Sequence, residues 1–401
     1  MPTATIIGGS IAGLFTANAL IQKGWNVTVH EKVESPLSGR GAGIATYDEL
    51  ADLVFKATGN NQVLGTKAKT RVSLDIKGNI NSSYDYPQVY TSWQHLFSLL
   101  RNNIKNSKYF MNDDCIKIIQ DDESATALFF NGKKKKSDLI IIANGMKSVI
   151  RKYVDQNAIP QYAGYVGWRG VVNEKDISVE SLKILSEYFV IVLPFNQQIA
   201  SYPIAGEGEN PFDKGNRRIN WIWYKPATEK DLKKLFFGKS GKQYKDGIPP
   251  NEIRDQVLKE LLLEANNILP PQMYELIIKT SQPLIQPIYD LESNFMVNKR
   301  LITLGDAAFT ARPHVGMGVT KAAIDAFTLS NSLSSNNYLN NLSKWEKNRI
   351  KAGKFLVNRS RELGIYLSKS MKNKTLIMPD ILNVLSDTAI SLYEIKNHSI
   401  D

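Results

Sequence analysis

Asp306, Arg312, Pro313, His314, Gly316 and Gly318 follow one another in a single stretch, LGDAAFTARPHVGMGVTKAAIDAFTLSNSL, residues 304–333. A short apolar strand ends at the carboxylate of Asp306, and a Pro-bearing turn leads into a Gly-rich helix start. Glycines there let backbone N–H groups point outward, and the start of a helix stabilises negative charge through its dipole and unpaired donors. The chemistry such a device serves is the holding of an anionic, electron-poor ring. The plainer reading is a strand, loop and helix whose glycines serve tight packing.

A second set of glycines stands at the opposite end of the chain. Residues 4–9 (ATIIGG) read as a short buried strand, and Gly8, Ser10 and Gly13 turn it into a helix, LFTANALIQKG, whose apolar residues recur at helical spacing until Gly24. The strand of residues 25–31 follows and ends on Glu31. Strand, glycine turn, helix, strand and terminal carboxylate form a dinucleotide-binding pattern, with the acid placed for a ribose hydroxyl. Ser10 stands where the middle glycine of GxGxxG normally allows close approach to a pyrophosphate; its small hydroxyl is itself a donor to phosphate.

These two devices need elements to position them, and composition limits what those elements are. A chain of 401 residues has room for two domains, or one domain with a helical extension. No run of 18 apolar residues predicts a membrane span, and a strand beginning almost at Met1 leaves no room for a signal peptide. The single cysteine, Cys115, excludes an internal disulfide and fits a reducing cytoplasm. The net charge of +11 comes from scattered lysines. The one dense run, residues 133–136, reads as a solvated hairpin tip, so nucleic-acid binding is not expected, although a basic surface steers anionic ligands. His, Cys and carboxylates nowhere show metal-ligand spacing, so no metal is expected.

The fold class expected is α/β with an α+β second domain: a Rossmann-like domain interrupted by a mixed β-sheet domain and followed by C-terminal helices. Residues 1–70, 91–160 and 285–335 would form the first, residues 71–90 and 161–284 the second, and residues 336–401 a helical extension. Within the second, YAGYVGWRGVV, YFVIVLPF, IASYPIAG and RRINWIWYKP alternate with a period of two, as strands with one buried face do. Residues 70–90 read as two strands, residues 149–154 as a helix, and residues 339–369 as a basic amphipathic helix.

Three motifs, GGSIAGL at Gly8, ANGMKSVIRK at Ala143 and GDAAFTARPH at Gly305, carry a family resemblance, and SGRGAGI, YAGYVGWRGVV, ASYPIAG and WIWY extend it. In that order they resemble the single-component FAD-dependent aromatic hydroxylases, their hydroxypyridine-acting members in particular, over about residues 3–365. The resemblance implies FAD as cofactor, NADPH or NADH as transient co-substrate, and dioxygen and a small aromatic ring as substrates, with hydroxylation through a flavin hydroperoxide. It implies a soluble monomer or homodimer without a membrane span. Gly8, Ser10, Ile11, Ala12 and Gly13 would hold the pyrophosphate, and Glu31 and Lys32 the adenosine end. Arg40 would lie near the nucleotide, and Asn144 and Gly145 would border the cofactor. Asp306 would meet the ribityl chain, and Pro313, Val315, Gly316, Met317, Gly318 and Val319 the flavin ring.

Two positions depart from that pattern. Asn144 stands where relatives carry Asp, and Trp93 where many carry Arg; both bear on reduction by the nicotinamide more than on flavin binding. Candidate pocket walls are Tyr202, Trp221, Trp223 and Tyr224, each of which also reads as ordinary strand packing. Arg169 reads either as partner of a substrate carboxylate or oxyanion or as a surface strand residue. His314, beside Pro313, reads either as a general base or as a hydrogen-bonded turn residue. Other functions remain open: a hydroxylase that inactivates a polycyclic drug such as a tetracycline, a flavin-dependent halogenase suggested by WIWYKP, and a flavoprotein that binds a ligand without oxygenating it.

Overall fold

The computed structural model describes residues 1–34, 43–334, 338–368 and 378–388. Its first layer is a six-stranded sheet in the order Val297–Asn298, Leu301–Thr303, Leu139–Ile142, Thr3–Ile7, Asn26–His30, Tyr109–Phe110. All neighbours run parallel except the Val297–Asn298 edge. The strand LIII is an unbroken apolar run, and TATII is buried from Ala4 onward, because both faces are covered, as parallel sheets require. Ile6 and Ile141 meet the helices Ile11–Gln22, Trp93–Asn102 and Gly318–Ser332 through Leu14, Phe15, Leu96, Ala326 and Leu329. Ile7, Ile140 and Ile142 point the other way, onto Ile118, Ala127 and Phe129 of a three-stranded antiparallel sheet.

The second layer is a seven-stranded sheet in the order Leu284–Asp290, Gln161–Asn173, Arg218–Pro226, Gln198–Ile204, Phe189–Val192, Arg71–Leu74, Ile80–Tyr84. The long central pairing sets Trp168 opposite Trp223 and Arg169 opposite Ile222. One face packs on the helices Asp255–Ile268 and Pro271–Ile278 around Trp168, Trp221 and Trp223. The opposite face carries Tyr165, Ile191, Ala200, Ile222 and Tyr224, which pack with Tyr366, Leu367, Val384 and Leu385 of the C-terminal segments. The mixed α/β architecture is the one expected.

Several local expectations change. Residues 70–90 contain parts of three strands: Arg71–Leu74, Ile80–Tyr84 and Gln88–Ser92, the last pairing with Gly43–Thr46 and Thr66–Ala68. Lys134–Ser137 is an edge strand rather than a hairpin tip; lysines suit an edge because their charge discourages pairing with another chain. Ile150–Tyr153 forms only a 3-10 turn. The helix Asp48–Thr58 was not expected, although Asp48 and Glu49 in its first turn and Gly59 in the left-handed region at its end favour it. The helix Tyr338–Gly364 ends before residue 369.

Candidate functional site

The opening turn is a backbone cradle. Gly8 has φ +110°, and a Cβ there would lie 2.5 Å from the Ala143 carbonyl oxygen; at Gly13 a Cβ would lie 1.9 Å from the Gly8 carbonyl. Only glycine allows strand, turn and helix to approach this closely. Ser10 holds the N-cap of the Ile11–Gln22 helix without a capping side-chain bond, and the first turn carries no acid. The helix start is therefore left to an external anion. Glu31, at the end of the next strand, accepts from the N–H of Gly9 at 2.8 Å and of Val33 at 3.2 Å. This carboxylate braces the cradle from below and also faces the cavity.

The cavity has a volume of about 1140 Å³, and Gly8, Ser10, Glu31, Asn144, Asp306 and Gly318 are among its walls. Ile11, Ala12, Lys32, Gly145, Val319 and Trp93 line it too. Asp306 lines this space and is exposed to it. The Asn144 Oδ1 is buried and has no hydrogen-bond partner. A buried acceptor of that kind calls for a donor from outside the chain.

Behind the wall, a charged network fixes the second helix start. Gly305 (φ +61°) donates its N–H to Asp325 Oδ2 at 3.1 Å, and Lys321 donates to the Gly305 carbonyl at 3.2 Å. Asp325 is fully buried between Lys321 and Arg349, each at 2.7 Å. Burial alone would raise its pKa, but the two cations hold it below the usual carboxylate range. Arg151 donates to the carbonyls of Met146, Ala158 and Ala307, tying the residue 143–151 segment to the end of the Leu301–Thr303 strand.

The ring-facing residues divide. Gly318 and Val319 line the cavity, whereas Val315 and Met317 send their side chains into an apolar cluster with Tyr47 and Leu356. Gly316 takes the left-handed conformation at φ +62°. Pro313 opens the Pro313–Val315 turn and is half-buried. His314 is buried, with Nε2 2.9 Å from the Tyr165 hydroxyl and its ring 4.3 Å from that of Tyr224. Burial and then the Arg312 charge lower its pKa to about 3, which leaves it a weak base at neutral pH. Arg40 lies outside the described residues.

On the sheet, Arg169 lines the cavity and donates to Gln286 Oε1 at 2.9 Å, while its Nε is buried without a partner. Tyr202 stacks on Tyr90 at 4.4 Å, and burial pushes its hydroxyl up to about 12 against the Arg169 charge. Tyr224 lies on the same face, packed with Tyr366 and Leu367, and neither tyrosine lines the cavity. Trp221 and Trp223 do not join them. Strand alternation turns both toward the helices, where they are fully buried, so the expectation that they wall a pocket is corrected. The sequence reading also missed Arg151, the Asp325 network and the Arg312–Asp290 pair, which is bidentate at 2.9 Å. Lys321 and Asp325, four apart inside an apolar helix, were the one local signal for the network.

Among the described residues no cluster of His, Cys, Asp and Glu suits a metal ion, and no helix is long and apolar enough to cross a membrane. The glycine cradle, the uncapped helix start, the carboxylates of Glu31 and Asp306 and the unpartnered Asn144 acceptor fit FAD. Known proteins agree. A family model described as FAD binding domain-like matches residues 162–290. The chain is 28% identical over 363 residues to 2,6-dihydroxypyridine 3-monooxygenase of Paenarthrobacter nicotinovorans, covering 89% of each protein. The solved structure of 2,6-dihydroxypyridine-3-hydroxylase from Arthrobacter nicotinovorans superposes with TM-score 0.85 and 25% identity, over 95% of this chain and 99% of that one. HpxO of Klebsiella pneumoniae, complexed with FAD and uric acid, shares the fold at TM-score 0.77 and 20% identity, over 99% and 95% of the two chains. Fold, cradle and relatives agree on an FAD-dependent monooxygenase, and the relatives named are aromatic-ring hydroxylases. Within that class, its likeness to the dihydroxypyridine enzyme runs along nearly the whole chain.

Proposed function

We propose that the protein hydroxylates a small aromatic or heteroaromatic ring bearing an acidic hydroxyl, phenol-like or hydroxypyridine-like, at the expense of NADH or NADPH. The observation that carries this reading is the composition of one cavity: the cradle on one side and Arg169 on the other. FAD supplies the chemistry of electron uptake and dioxygen activation when bound. The chain supplies position, charge and dryness.

In this reading Gly8, Ser10 and Gly13 bind the pyrophosphate at the helix start, and Glu31 and Asp306 accept from cofactor hydroxyls. Asn144, bordering the same groups, offers a neutral acceptor. The N–H groups around Gly318 and Val319 stabilise negative charge on the ring system. Arg169 orients the oxyanion of the substrate by a charge-assisted hydrogen bond, and Tyr202 and Tyr224 stand on the same sheet face. Lys32 and Lys147 at the cavity favour approach of an anionic nicotinamide cosubstrate. The likeness to 2,6-dihydroxypyridine 3-monooxygenase supports the ring class.

The test is anaerobic reduction of the bound flavin by NADH and NADPH, followed by absorbance across a library of hydroxylated rings. A member of the proposed class accelerates reduction, and under labelled dioxygen its product carries one labelled oxygen. Labelled oxygen found only in hydrogen peroxide for every ring overturns the proposal.

A further inference from the structure

The hydroxylase reading uses Arg169 and leaves a second guanidinium on the same cavity wall without a role. Arg218 also lines the cavity, at the start of the Arg218–Pro226 strand. Arg169 lies opposite Ile222, Val171 opposite Asn220 and Asn173 opposite Arg218. Strand alternation therefore puts Arg169, Val171 and Arg218 on one face, with Val171, another cavity wall, between the two charges. Four residues at about 3.4 Å each separate the two arginine positions by about 14 Å along the strands. With a hydrogen bond of about 2.9 Å at each end, that spacing suits a single ring bearing an acidic group at each of two opposite positions.

The partners of Arg218 are incomplete. Nε donates to the Ala205 carbonyl at 3.2 Å and Nη1 to Glu207, while Nη2 is buried without a partner. The residue is only 8% exposed, and burial lowers its pKa although Glu207 opposes the shift. The preceding residue shows how this protein closes an arginine permanently. Arg217 meets both oxygens of Glu174 through Nε and Nη2, and that carboxylate side chain is 5% exposed against 69% for Glu207. Arg312 is likewise bidentate on buried Asp290. Glu207 instead stands on the loop between the strands Gln198–Ile204 and Arg218–Pro226, meets Arg218 with one oxygen and is not a wall of the cavity. An exposed carboxylate in such a pair adds little and is readily exchanged. A guanidinium fork takes a carboxylate best through two nitrogens, and Nη2 is the one left for the contents of the cavity.

We propose that Arg218 is a second anion-binding residue of the cavity, which receives a carboxylate at the end of the ring remote from Arg169. Glu207 is the internal carboxylate that holds this guanidinium until the ring arrives and displaces it. That the ligand is a ring rests on the hydroxylase reading; the exchange of one carboxylate for another at Arg218 does not.

The probes are 6-hydroxynicotinate, which carries its carboxylate opposite the hydroxyl, and 6-hydroxynicotinamide, which has the same shape without the charge. Titration calorimetry on the oxidised holoenzyme should give the acid a Kd about tenfold or more below that of the amide. Arg218→Gln, with flavin content unchanged, should abolish this preference, while Arg169→Gln weakens both probes and keeps it. Glu207→Gln changes an exposed side chain and spares the fold. It should tighten the acid by about threefold, the scale of an exposed ion pair, and leave the amide unaltered. Equal Kd values for acid and amide overturn the proposal, as does a preference that survives Arg218→Gln or is lost in Arg169→Gln. An acid affinity unmoved by Glu207→Gln overturns the exchange. The hydroxylase reading is judged separately, by flavin reduction. Preference for the acid with no ring accelerating reduction supports the Arg218 site and sinks the hydroxylase. If no ring binds and none accelerates reduction, both fall.

Discussion

The two faces of the seven-stranded sheet do different work, although they are built from alternate residues of the same strands. On one, Trp168, Trp221 and Trp223 pack with Leu261, Met273 and Leu276 of two helices, and the Trp221 indole N–H is satisfied by Thr280 Oγ1 at 2.8 Å. That face is packed core, although the Trp223 indole N–H has no partner there. On the other, Arg169, Tyr202, Asn220 and Tyr224 face the first domain, with polar atoms left over: Arg169 Nε and Asn220 Nδ2 have no partner. A single residue step along a strand moves a side chain from one face to the other, and of these residues Arg169 lines the cavity. Aromatic residues on the two faces should therefore fail in different ways when removed.

The largest effect is expected on the helix face. Trp221→Ala removes a fully buried indole and should destabilise the protein by about 3–5 kcal/mol in urea melts, with flavin content and probe affinity of the folded fraction near those of the parent. Lost probe affinity without lost stability would erase the distinction between the faces.

Acid should separate the faces next. His314 has a folded-state pKa of about 3 against 6.5 for a free side chain. Below pH 6.5 the unfolded chain takes up a proton that the native state refuses, so stability falls as pH falls, by about 1.4 kcal/mol per pH unit, until about pH 3. The His314→Asn variant lacks this component. Its unfolding free energy should decline less steeply than that of the parent between pH 6 and 4, and parallel curves would show that the imidazole is not held neutral.

The same division explains what was legible from sequence. Gly8, Gly13, Glu31, Asp306 and Gly318 lie in two short segments that local order marks as candidates, and the structure brings both segments to one cavity. The Trp221–Tyr224 run could be read as a strand but not as a choice of faces, because which face meets the helices is decided by segments far away in the chain. Charged partners were hidden for the same reason. Arg312 meets Asp290, Asp325 meets Arg349, and buried Arg71 donates to the Leu385 carbonyl and Thr388 hydroxyl of the Ile381–Asp387 helix region. No periodicity in one segment announces a partner in another.

Below the sheet, the cradle offers a smaller and purely cofactor-directed test. Glu31 accepts from Gly9 and Val33 with different oxygens. Glu31→Gln keeps one acceptor and turns the other position into a donor that faces an N–H. FAD affinity, followed by fluorescence quenching on titration into apoprotein, should fall about tenfold, the scale of one charge-assisted hydrogen bond. An unchanged affinity would mean that Glu31 only braces the Gly9 turn.

The smallest stability effect is expected at Tyr202, and it tests the comparison most closely. Its ring stacks on Tyr90 at 4.4 Å and lies 5.5 Å from Phe189, contacts that phenylalanine preserves. Its hydroxyl is neutral at working pH, since burial pushes it up to about 12. Tyr202→Phe should therefore change the unfolding free energy by no more than about 1 kcal/mol. If the hydroxyl and Arg169 together face the substrate ring, Kd for 2,6-dihydroxypyridine should rise about three- to tenfold, with FAD affinity unaltered. A loss of stability as large as that of Trp221→Ala would make this face a second core, and the unpartnered Arg169 and Asn220 donors would then need another explanation. An intact fold with weakened ring binding leaves the alternation of the strand as the boundary between what holds the protein together and what it holds.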